Sequence, residues 1–205
     1  MGERPVTGFR SSKAQALLYY LAASGRPQPR ATLAGLFWAG VGDYYARRNL
    51  NRTLSNLLQL VGDHLIKARE ILTFDRSQPY WLDSEILDQA VNTAATSGDT
   101  GRLQEALNLY RGEFLAGFYL HDAPEFEQWV LAERTRLNER YLHGLHTLAH
   151  LLAGQGDLPG ASSAVRRVLQ VEPWREEAHR QLTQRRPGPV RALPSGPRHR
   201  TRCRT

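Results

Sequence analysis

The sequence predicts a mainly α-helical chain. Leucines and alanines recur at three- and four-residue spacing in both halves of the 205 residues, and glycines and prolines interrupt them at intervals suited to helix ends. Three such helices fall within about the first sixty residues. The second and third are joined by a short Gly-containing turn, which is the spacing of a helix-turn-helix.

Taken in order, Thr7 to Arg10 reads as a short extended lead-in. Ser11 or Ser12 caps a helix running to about Ala23, with Ala14, Leu17, Leu18 and Leu21 as its apolar stripe, and Gly25 stops it. A turn over Arg26-Pro27-Gln28-Pro29 leads into Arg30 to Trp38, where Leu33, Leu36 and Phe37 repeat the helical pattern. Gly40 and Gly42 separate it from Asp43 to Gly62, the helix around which the chain is organised. Asp43 is its expected N-cap, and Leu50, Leu54, Leu57 and Val61 form its core side. Arg48, Arg52, Ser55 and Gln59 project oppositely, with Arg47, Asn51 and Asn56 on the flanks. A merely solvated helix face normally mixes Glu with Lys or Arg, and no acid follows Asp43 here. Arg, Asn and Gln hydrogen-bond base edges bidentately in a major groove, so the composition favours DNA.

His64 to Asp75 suits helix as well as strand. As a hairpin it would carry Lys67 and Arg69 on one face near the tip, within reach of a phosphate or a minor groove. Beyond it, Asp83 or Ser84 caps a helix to about Ser97, Gly98 and Gly101 break it, and Arg102 to Tyr110 carries the next. Asp122, Pro124 and Glu125 give a capping-box-like start to a long helix ending near Ala153. The spacing of Leu145, Leu148-Ala149, Leu152, Ala161, Val165 and Pro173 fits a tetratricopeptide (TPR) repeat, whose job is protein interaction; a helical spacer is the plainer alternative.

Charge divides the chain further. Met1 to Arg69 holds ten Lys or Arg against three acids, Glu70 to Thr183 ten Arg against seventeen acids, and Gln184 to Thr205 seven Arg and no acid. Only the first and last segments are drawn to a phosphate backbone. The single cysteine, Cys203, excludes an internal disulfide and a cysteine-based zinc site. The longest apolar run, Ala16 to Ala23, is too short to span a bilayer and no secretory leader is recognisable, so the expected location is the cytoplasm. His143, His146 and His150 share a helix without a pattern that closes a metal site. His121-Asp122 reads as a helix cap beside a histidine, and Glu125, Glu127 and Glu133 as a solvated face. With no nucleophile motif and no phosphate-binding loop, neither an enzyme nor a cofactor is expected.

Specific residues also carry a family resemblance. Phe9-Arg10-Ser11-Ser12-Lys13-Ala14, Leu17-Leu18, Leu21-Ala22, Leu33-Ala34-Gly35-Leu36-Phe37-Trp38, Ala46-Arg47, Leu50 and Leu54-Ser55 resemble the winged-helix domain of bacterial activators of the antibiotic-regulatory (SARP) type, whose reader is OmpR-like. Ala106, Leu109 to Leu115, Gly117-Phe118, Asp122 to Glu127, Trp129, Glu133-Arg134 and Glu172 to His179 resemble their companion bacterial transcriptional activator domain (BTAD). The resemblance implies that His64 to Asp75 is the wing, a hairpin. It further implies double-stranded DNA, RNA polymerase or another regulator domain, and a homodimer as partners.

Family members usually carry a strand-rich stretch before the Phe-Arg-Ser segment, so most of an N-terminal sheet is expected to be missing and Leu17 and Tyr20 to be partly exposed. The abrupt Pro- and Arg-rich ending is read as a reading-frame shift, with a genuine disordered tail as the alternative. The expected organisation is a truncated winged-helix domain over residues 1–82, a TPR-like activator domain over 83–183 and a disordered basic tail over 184–205. Arg48, Asn51, Arg52 and Ser55 are expected at base edges, and Arg30, Thr32, Arg47, Lys67 and Arg69 at phosphates. The alternative is a protein-interaction fragment of a larger, ATPase-containing regulator, not itself competent for specific DNA binding.

Overall fold

The computed structural model describes residues 6–171, which are mainly helical. Helix α1, Ser12–Ser24, starts where Ser11 accepts a hydrogen bond from the Ala14 N–H and stops where Gly25 adopts φ 62°, a left-handed conformation that costs glycine little. Helix α2 spans Arg30–Trp38 and helix α3 Asp43–Val61. Asp43 is not the N-cap of α3. Gly42 holds that position without a side-chain bond, and Asp43 is a first-turn acid facing the positive end of the helix dipole.

A three-stranded antiparallel sheet joins β1 (Gln28–Pro29), which precedes α2, to β2 (Leu65–Lys67) and β3 (Ile71–Phe74), which follow α3, in the order β1-β3-β2. The ambiguous stretch is therefore a hairpin, with Leu65 opposite Phe74 and Lys67 opposite Leu72. Tertiary context decides what local propensity left open: Leu65 and Leu72 are buried in the core, and the Arg30 N–H donates to the Glu70 carbonyl at 2.9 Å. The turn expected over residues 26–29 is shorter than predicted, because Gln28 and Pro29 pair with Leu72 and Ile71.

Among the described residues the regular elements of the second half are all helices: α4 (Asp83–Ser97), α5 (Thr100–Leu109), α6 (Pro124–Gly154) and α7 (Leu158–Val171). Leu82, not Asp83 or Ser84, precedes α4 as its cap residue, and it makes no capping bond. Asp99 caps α5 by accepting from the Arg102 N–H at 2.9 Å.

Two apolar cores organise the described residues. The first joins α1, α2, α3 and the hairpin to Leu120, Ala123, Phe126 and Val130, residues that come from far downstream. The second joins α4, α5 and α7 to the later turns of α6, through residues such as Leu107, Leu142, Leu145 and Val165. Close approach is needed here: a side chain at Gly144 would stand 2.8 Å from Leu107 Cδ2 and 2.9 Å from Val91 Cγ2. The 31-residue helix α6 thus belongs to both cores.

Leu17 and Tyr20 are buried rather than left open. Tyr20 packs edge-on against Trp129 at 4.7 Å and Phe37 at 6.2 Å, so α6 covers the side of α1 that was expected to be bare. Burial also raises the Tyr20 phenol above its usual pKa. Asp122 does not cap α6; Ala123 stands at that position. Its carboxylate instead meets Lys13 Nζ at 2.8 Å, and Lys13 also donates to the Phe37 carbonyl at 2.6 Å and lies 5.3 Å from the Trp38 ring centre. Glu127 is likewise no part of a freely solvated face, since it accepts from the Leu120 N–H at 2.7 Å.

Among the described residues no helix is long and apolar enough to cross a membrane. The tail expected over residues 184–205, the motif Glu172 to His179 and Pro173 lie outside the described residues.

Candidate nucleic-acid interface

Helix α3 turns Leu50, Leu54 and Leu57 into the first core, so its opposite arc faces outward by geometry alone. Arg47, Arg48, Asn51, Arg52, Ser55 and Gln59 are all exposed on it. Its one misassigned member is Asn56, which is 4 % exposed. Asn56 accepts from the Arg10 N–H at 2.9 Å and donates to the Gly8 carbonyl at 3.2 Å, fastening the lead-in segment to the helix.

Six of the remaining residues line two depressions. Arg30, Arg47, Asn51 and Arg69 line a cleft of about 160 Å³ bounded by the start of α2, the hairpin tip and α3. Inside it the Arg30 guanidinium donates to Asn51 Oδ1, leaving the Asn51 amide nitrogen as the group free to donate outward. Arg48 and Arg52 lie along the other side, lining a cleft of about 310 Å³ with Tyr45 and Asn49. Thr32, Ser55 and Lys67 line neither cleft, although all three are exposed. The Ser55 hydroxyl donates to the Asn51 carbonyl at 3.0 Å, so its oxygen is left as an acceptor. Lys67 ends β2, and Arg69, at the tip, lies 3.9 Å from Glu70 with both side chains largely in solvent.

Three arginines of this arc, Arg47, Arg48 and Arg52, form no ion pair within 4.0 Å among the described residues. A row of exposed, unpaired guanidinium groups on one helix, flanked by a hairpin carrying Lys67 and Arg69, can bind phosphates and base edges. Two residues that sequence reasoning passed over stand in the same place: Tyr44 and Tyr45, in the first turn of α3, are 72 % and 59 % exposed. The signal was there to be read, as two adjacent aromatic residues on a polar arc.

The second half presents a different surface. Asp88 on α4 holds both Arg136 and Arg140 of α6 at 2.9 Å, and Glu133 holds Arg136 at 2.8 Å. Arg134 donates to the carbonyls of Phe114 and Leu115 and fixes the segment before α6, so that Phe114, Phe118, Phe126 and Trp129 form one aromatic wedge against the first core. Tyr110 stacks on Tyr141 with ring centres 4.4 Å apart, and burial raises its pKa. Among the described residues no group of three or more His, Cys, Asp or Glu is placed to hold a metal ion.

This helical array matches a known family over residues 83–184, beginning at the first residue of α4. The family is the Bacterial transcriptional activator domain. The match supports membership of that family and points to a transcriptional activator. Among curated proteins none matches the chain significantly. Within the matched region, the residues from Leu109 to Trp129 are those that carry the wedge, so that region's own sequence supplies its attachment to the N-terminal helices.

Proposed function

We propose that the chain is a DNA-binding transcriptional regulator of the cytoplasm, in which residues 1–82 act as a winged helix-turn-helix reader and the activator domain as a TPR-like interaction array. The observation that carries this reading is the unpaired arginine row of α3, in which Arg47 shares a cleft with the start of α2 and the hairpin tip while Arg48 and Arg52 line the other side, on a chain that matches the activator family. In this reading α3 enters the major groove, with Arg48, Asn51, Arg52 and Ser55 at base edges. Arg30, Thr32, Arg47, Lys67 and Arg69 hold the flanking phosphates, and the hairpin serves as the wing. Asn51 reads an adenine once the DNA takes over its bond from Arg30. The acidic array would be repelled by DNA and instead receives RNA polymerase, another regulator domain or a second copy of the chain.

The test is a fluorescence-anisotropy titration of the whole chain against a random-sequence duplex pool at two salt concentrations, with selection of the bound fraction. An enriched motif whose affinity falls on replacing Arg48 and Arg52 by alanine is the expected result. Binding that depends on salt alone, with no motif enriched and no effect of those substitutions, would sink the reading and assign the charge to non-specific attraction.

A further inference from the structure

Tyr44 and Tyr45 open α3 and leave most of their surface in water, with ring centres 5.4 Å apart and ring planes at 80°. Neither ring belongs to either core, so packing does not account for them. Helical spacing puts Tyr44 on the same arc as Arg48, Asn51 and Ser55, four, seven and eleven residues on. Tyr45 forms a wall of the cleft that Arg48 and Arg52 also line. Two apolar ring faces are thus held beside guanidinium groups, at the end of the helix that comes nearest the base edges when such a helix enters the major groove. The floor of that groove offers one apolar group to meet them, the C5 methyl of thymine.

We propose that Tyr44 and Tyr45 form a methyl-reading platform that selects thymine next to the bases contacted by Arg48 and Arg52. The inference rests on the DNA-reading function proposed above and adds to it a base preference that no charged or amide side chain of α3 supplies. The rings contribute through their faces, so their hydroxyl groups are dispensable for the selection.

The experiment uses the whole chain and the duplex enriched by selection, remade with deoxyuridine at each thymine in turn, which removes the methyl and keeps every Watson–Crick bond. The wild-type chain is expected to bind roughly fourfold more weakly at one or two of these positions, the factor that corresponds to burying one methyl group. The double variant Tyr44→Ala, Tyr45→Ala should lose that discrimination, while Tyr44→Phe, Tyr45→Phe should keep it. Specific binding that is indifferent to every deoxyuridine substitution overturns the inference and leaves the DNA reading standing. So does discrimination that survives in the alanine variant or vanishes in the phenylalanine one, the latter assigning the hydroxyls to phosphates. If no duplex is enriched at all, the DNA reading fails and takes this inference with it.

Discussion

Arg134, Arg136 and Arg140 of α6 each meet a carboxylate, of Glu113, Asp88 or Glu133, whereas Arg47, Arg48 and Arg52 of α3 meet none among the described residues. Pairs of the first kind contribute up to about 1 kcal/mol each to folding. Arg48 and Arg52, one turn apart on the same face, instead repel one another by about 0.2–0.5 kcal/mol. One helix uses its cations to hold α4 and the segment before α6 in place, and the other keeps them at a small cost in stability. The difference separates a surface finished by the fold from one that the proposed function leaves to a polyanion, and five experiments would break or sharpen it.

The largest effect is expected at the place where the two regions meet. Phe126→Ala removes a fully buried ring 5.1 Å from Phe37 and should cost about 3–5 kcal/mol. Hydrogen exchange should then accelerate more in α1 to α3 than in α5 and α7; uniform acceleration would show that the two cores unfold as one unit. Next comes the pair Arg48→Ala and Arg52→Ala, each expected to lower specific DNA affinity by about 1–3 kcal/mol while leaving the melting temperature unchanged or slightly raised. Arg136→Ala should do the reverse, and a loss of DNA affinity there, with the fold intact, would erase the contrast between the two surfaces. Gly144→Leu forces a side chain against Leu107 and Val91 and should destabilise the second core by about 1–3 kcal/mol, read as a lower denaturation midpoint.

The smallest effect concerns the tie between Lys13 and Asp122. The hydrogen bond from Lys13 holds the Asp122 carboxyl below its ordinary pKa. A carboxyl lowered on folding stabilises the native state above its unfolded value, about 3.9, and loses that contribution as pH falls through the lowered one. The melting temperatures of wild type and Asp122→Asn should therefore differ slightly at pH 7 and converge only below about pH 4. A gap that does not narrow at all as pH falls below about 4 would mean that the aspartate acts through something other than its charge.

Much of this was legible in the sequence wherever the deciding interaction is local. Ser11, Gly25 and the leucine spacing bound α1 and α3 within a residue or two, and the exposed arc of α3 follows from its apolar one. What sequence reasoning misplaced depends on distant partners. Asn56 looks like a flank residue until Gly8 and Arg10, more than forty positions away, fold over it. Asp122 has the spacing of a helix cap, yet its partner Lys13 lies 109 residues earlier. Helical spacing names the side of α6 that is buried but not which core receives which turn, so the packing of Trp129 against Tyr20 was out of its reach. Of the candidate site, the arginines and Asn51 were legible from residue type and period. The Arg30–Asn51 bond was not, because it joins two helices across a turn.

Helix α6 also has a practical consequence for anyone who cuts the protein along its family boundary. The matched region begins at residue 83, while Leu120, Ala123, Phe126 and Val130 complete a core whose other walls lie before that point. A fragment starting at Asp83 would carry into water a wedge of Phe114, Phe118, Phe126 and Trp129, a sticky surface that invites self-association. A fragment ending at Leu82 would lack the side chains that close its own interior. The seam visible in the sequence runs through the middle of a shared wall, so separate expression of the halves would report on aggregation before it reported on function.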